Sequence, residues 1–170
     1  MATAILPVDI ICNNLSCSSI KLPSGAVSNA SIQANAAIDA SKLVHVIAKQ
    51  YQQGTASAVV ADTQFCHIVN GSTCTLAYVK ATVDTVATGA DRTVSVDLQK
   101  RTGSGSWASV LTSTITFNSA STAGTIVSGS IATSTLAQDD YLKWVVTVAG
   151  SAGNQAIGVL AEAFFQEAAQ

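Results

Sequence analysis

Four cysteines (Cys12, Cys17, Cys66, Cys74) and two histidines (His45, His67) are the side chains best suited to metal binding or nucleophilic chemistry. No Cys-x-x-Cys pair occurs and the histidines do not fall at metal-ligand spacing, so no metal site is expected. Cys66 and Cys74 flank Asn70-Gly71, the strongest short hairpin signal in the chain. A two-residue turn there pairs Val69 with Ser72 and Cys74 with His67, which points Cys66 and Cys74 to opposite faces. Buried free thiols are therefore expected for that pair. Cys12 and Cys17 lie close together, and their redox state stays open. A nucleophile needs a base within hydrogen-bond reach. Neighbouring strand residues face opposite ways, so Cys66 and His67 are not expected to meet.

Asp139-Asp140 falls at a turn, where Asp commonly bonds the backbone. The glycines belong to β turns, and none opens a helix to cradle a phosphate. Trp107 follows the Gly103-Ser104-Gly105 turn and is the best candidate for a ligand contact. Its plainer role is a sandwich-core or interface tryptophan. The residues thus suggest no catalytic group and no cofactor, and the chain is not expected to be an enzyme.

From Val44 onward the apolar residues recur with the strand period of two. Val94, Val96 and Leu98 alternate with Ser95, Asp97 and Gln99. Leu142, Trp144, Val146 and Val148 alternate likewise over Tyr141 to Val148. Trp107 to Phe117 reads as one strand with Trp107, Leu111, Ile115 and Phe117 on a shared face. Further strands fit Val44 to Gln52, Gln64 to Val69, Thr73 to Val83, Thr125 to Ile131 and Gln155 to Gln166. Turn signals separate them. About eight short strands at this spacing predict an antiparallel sandwich or barrel, an all-β fold.

The last strand carries Ile157, Val159, Ala161, Ala163 and Phe165 on one face, with Leu160 and Phe164 on the other. A strand apolar on both sides needs two covers. The core is one; a neighbouring subunit or a folded-back arm is the other. Residues 1–43 break regular patterns with Pro7, Pro23 and Gly25, yet carry Ile5, Leu6, Val8, Ile10, Ile11 and Leu15. This predicts an extended arm that lies on a partner, ahead of a sandwich domain over residues 44–170.

Charged residues make up 11% of the chain, against a usual ~25%. Ser, Thr, Asn and Gln must cover the polar faces instead, which suits contact with other protein. The net charge is −2 and the basic residues are scattered, so nucleic acid is not an expected partner. No apolar run approaches the ~20 residues of a membrane-spanning helix, and a membrane is not expected either. The N-terminus lacks the basic start of a secretory signal.

The segment Ala30 to His45, the Asn70-Gly71 turn, the runs Val94 to Lys100 and Val110 to Thr116, and the close on Leu160 to Glu167 together resemble small virion proteins of tailed bacteriophages. These are the capsid decoration, or cement, proteins and related head-fibre proteins. The resemblance covers Ser31 to Glu167. It implies a jelly-roll sandwich, assembly as a homotrimer, and the major capsid protein as partner. It places the chain on the outer capsid surface of a virion, made in the host cytoplasm, and supplies no catalytic residues. An alternative is a head- or tail-fibre module that recognises a host-surface carbohydrate or receptor.

Overall fold

The computed structural model describes residues 44–168, all within one compact unit. The arm residues Ile5, Leu6, Val8, Ile10, Ile11 and Leu15, with Cys12 and Cys17, lie outside the described residues. Ten strands follow in order: β1 Val44–Gln52, β2 Asp62–Ile68, β3 Thr73–Thr85, β4 Thr93–Thr102, β5 Ala108–Ser109, β6 Ile115–Phe117, β7 Val127–Ser128, β8 Thr135–Ala137, β9 Asp140–Ala149 and β10 Ile157–Ala168. They build two antiparallel sheets. Sheet A runs β1-β10-β3-β7, with β8 also on β3; sheet B runs β2-β9-β4-β5, with β6 also on β4.

β5 and β6 share one position beside β4, and β7 and β8 share one beside β3. That leaves eight strand positions. The first pairs with the eighth in sheet A, the second with the seventh in sheet B, the third with the sixth in A, and the fourth with the fifth in B. A long antiparallel ribbon rolled so that successive pairs alternate between two sheets is a jelly roll. The fold is therefore an all-β jelly-roll sandwich, and the strand order itself establishes it.

The inner faces supply one core. Trp144, Tyr51, Phe117, Phe165, Leu76, Leu98, Leu136 and Leu142 are its largest fully buried side chains. Each such burial contributes roughly 1.5–3 kcal/mol. The alternation in β4, β9 and β10 delivers this core: Val94, Val96 and Leu98, then Leu142, Trp144 and Val146, then Val159, Ala161, Ala163 and Phe165 are buried.

Three local expectations are corrected. The hairpin around Asn70-Gly71 does not form, because β2 pairs with β9 and β3 pairs with β10. Val69 to Ser72 is instead a corner between sheets, tied to the β8–β9 turn by Val69 N–H to Asp140 O at 3.0 Å and Asp139 N–H to Val69 O at 2.9 Å. Second, Trp107 to Phe117 is interrupted. Ser109 Oγ accepts from Leu111 N–H at 3.0 Å and donates to Asp97 Oδ1 at 2.6 Å. This local bonding competes with the ladder, so Val110 and Leu111 are both buried and the alternation stops. Third, Cys66 is an extra residue in β2, where Phe65 pairs with Lys143 and His67 already pairs with Leu142. The bulge turns both Cys66 and His67 inward and leaves Phe65 and Ile68 exposed.

Candidate functional site

The β2 bulge aims Phe65 at the outer face of sheet B. Register then places Lys143 beside it on β9, with Tyr141 next to Arg101 on β4 one row on. Trp107 comes from the loop before β5 and completes the group. Phe65 and Trp107 are tilted with ring centres 5.7 Å apart. Lys143 Nζ lies 4.3 Å from the Trp107 ring centre; the Arg101 guanidinium lies 4.8 Å from it and 5.4 Å from that of Tyr141. Trp107 is half-buried outside the core, so the core role expected of it belongs to Trp144 instead.

Cation–ring contacts hold both positive groups in place without neutralising them. Neither Arg101 nor Lys143 pairs with a carboxylate among the described residues, and Arg101 Nε is buried with no hydrogen-bond partner. Beside the group is an open depression of about 650 Å³, lined in part by Lys49, Phe65, Ile68, Arg101 and Tyr141, with no carboxylate among the described lining residues.

Behind β2, the inward His67 stacks on Phe165 with ring centres 5.5 Å apart, and its Nε2 is 3.0 Å from Glu167 Oε2. The other oxygen of Glu167 accepts the N–H of Asn70 at 2.6 Å and that of Gly71. This carboxylate ties the end of β10 to the corner between β2 and β3. Burial pushes its pKa up, but the bonds from Gly71, His67 and Asn70 outweigh burial and hold it below the usual carboxylate range.

Cys66 and His67 do lie on one side, contrary to the alternation argument. The thiol is nonetheless poor as a nucleophile, since burial pushes it up to about 12 despite the Lys49 charge. Burial and the Glu167 charge push Cys74 up to about 11. Both are free thiols. His45 is exposed in β1. Among the described residues no cluster of three or more His, Cys, Asp or Glu could hold a metal.

Asp140 is fully buried at the β8–β9 turn. It accepts from Thr102 Oγ1, from Ala137 N–H at 3.0 Å and from Lys100 Nζ at 3.1 Å. Burial raises its pKa; these three partners outweigh that and lower it. Asp140 thus bonds the backbone, as expected of a turn aspartate.

The outer face of sheet A carries Leu160 and Phe164. Leu160 is 41% exposed, Val46 on β1 is 61% exposed and Ile126, just before β7, is 66% exposed. Phe164 stacks on Tyr78 with ring centres 5.1 Å apart and planes 9° apart. Glu162 accepts from Tyr78 Oη at 2.7 Å and Gln50 Nε2 at 2.7 Å. This is an ordered, partly apolar face.

No family model matches the chain, and no curated protein matches it. Among solved structures, a chain of Desmodium yellow mottle tymovirus is similar at 8% identity and a TM-score of 0.31, covering 100% of this chain and 97% of that one. The Phe65–Trp107–Arg101–Lys143–Tyr141 group was missed from sequence, save for Trp107. It is assembled across β2, β9 and β4, and only the register brings it together.

Proposed function

We propose that this chain is a structural, non-enzymatic virion protein that decorates the outer surface of a capsid, binds the major capsid protein, and assembles as a homotrimer. The observation that carries the reading is the outer face of sheet A. Leu160 and Val46 stand exposed on it, beside the Phe164–Tyr78 stack, in a chain with only 11% charged residues. Exposed apolar faces favour contact with other protein. The jelly roll and the resemblance in the β runs point the same way.

A trimer on a repeating surface binds through several weak contacts at once, so avidity supplies the anchoring. A surface of Ser and Thr also avoids the charge repulsion that would oppose crowding many copies. Cys66, Cys74 and His67 support no competing enzymatic reading, because burial silences the two thiols and Glu167 engages the histidine. The experiment that tests the proposal is the number of copies of this chain in purified virions.

A further inference from the structure

We propose that the outer face of sheet B around Trp107 is a binding site for an anionic saccharide, whose carboxylate or phosphate seats on Arg101 while its ring packs on Phe65 and Trp107. Two features require an anion. Arg101 and Lys143 stand on this face, and Lys49 lines the depression beside it, so three of the six basic residues in the described part of a chain of net charge −2 border the site. Among the described residues neither Arg101 nor Lys143 pairs with a carboxylate, whereas Lys100 turns to the inner side of the sheet and engages Asp140. The Arg101 guanidinium is held by Trp107 and Tyr141 with its Nε unbonded. A planar fork held in place loses little freedom on taking an oxyanion with two parallel hydrogen bonds.

Two further features favour a saccharide over a protein segment or nucleic acid. The apolar part is small: Phe65 is 67% exposed and sits 5.7 Å from Trp107. The rest of this sheet face is mostly polar, with Thr63, Ser95, Asp97, Gln99 and Thr147 around Val145, and Asp97 accepts from Gln99 Nε2 and Ser109 Oγ. A protein partner needs a broader contact, ~800 Å² per side in a standard interface, with an apolar centre larger than this pair of rings. Two unpaired cations are too few to track a phosphate backbone. Aromatic faces with a few placed polar groups are the usual make-up of a small-ligand site. The site does not depend on the capsid reading, since binding is measured on the purified chain alone.

The test is fluorescence titration. Trp107 is at the site and Trp144 is fully buried, so a ligand-dependent change reports Trp107. The probes are a galacturonate trisaccharide, glucose 6-phosphate, a neutral glucose trisaccharide and polyglutamate. At least one anionic sugar gives a saturable change, which identifies carboxylate or phosphate as the group read, and the neutral sugar binds at least tenfold more weakly. Arg101→Gln weakens the anionic sugar roughly tenfold, as loss of a charged hydrogen bond does. Lys143→Gln weakens it less. Lys80→Gln, which removes the same charge from the opposite sheet, leaves binding unchanged. The proposal is overturned if neither anionic sugar saturates at millimolar concentration, if the neutral sugar binds equally, if Lys80→Gln weakens binding as much as Arg101→Gln, or if polyglutamate binds as tightly as the sugars.

Discussion

Replacing Glu167 tests how the sandwich is closed. One carboxylate serves the Asn70 N–H at 2.6 Å, the Gly71 N–H and His67 Nε2 at 3.0 Å. In Glu167→Ala the Gly71 N–H, which is buried, has no replacement acceptor, a loss of roughly 1–3 kcal/mol. Adding the charged bonds to Asn70 and His67 brings the expected cost to about 3–5 kcal/mol, the range for breaking a buried pair. For a chain of this size that is a fall in Tm of roughly 6–20 °C. Glu167→Gln keeps one acceptor oxygen without the charge and costs about 1.5–3 kcal/mol.

The effect depends on pH with a definite sign. Glu167 has its folded pKa below its unfolded value of roughly 4.3, so its stabilisation is present above that value and is lost as pH falls through the folded pKa. The gap between wild type and Glu167→Gln is therefore widest near neutral pH and closes in acid. Asp140 shifts the same way and remains in both proteins, so the difference isolates Glu167. Urea unfolding followed by tryptophan fluorescence and circular dichroism, across a pH series, measures it. A Glu167→Ala protein within ~0.5 kcal/mol of wild type at pH 7, the range of an ordinary surface change, refutes the reasoning, as does a gap that does not move with pH.

Asp140→Ala strands the Lys100 ammonium and the Ala137 N–H and is expected to cost about 3–5 kcal/mol. Lys100→Met costs less, about 1–2 kcal/mol, because Asp140 keeps Thr102 and Ala137; the reverse order in urea unfolding contradicts this account. Leu160→Glu, on the outer face of sheet A, is expected to leave monomer stability within ~0.5 kcal/mol. In sedimentation velocity the wild type is expected as a trimer and Leu160→Glu as a monomer. A variant that remains trimeric places the subunit contact elsewhere.

The sheets were legible wherever one face of a strand is buried. The alternation in Val94 to Leu98 and Leu142 to Val146 yields both the strand and its inner side, and the same holds for the core and outer faces of β10. Partner choice was not legible. Asn70-Gly71 has the composition of a hairpin turn, yet Glu167, far along the chain, takes its amides at a corner between sheets. The bulge at Cys66 left no mark either, since one extra residue changes no composition while reversing every side chain beyond it. The Arg101–Trp107 group was hidden for the same reason. Its members are spread from Phe65 to Lys143 and meet only through the register of three strands.

The central claim is a role on the outside of a capsid, and its most direct measurement is copy number by quantitative mass spectrometry of purified virions, with the major capsid protein as internal standard. The account predicts a copy number comparable to that of the major capsid protein. A small fraction of that number would contradict a decoration role in favour of a fibre part, and absence from virions would contradict a structural virion role altogether.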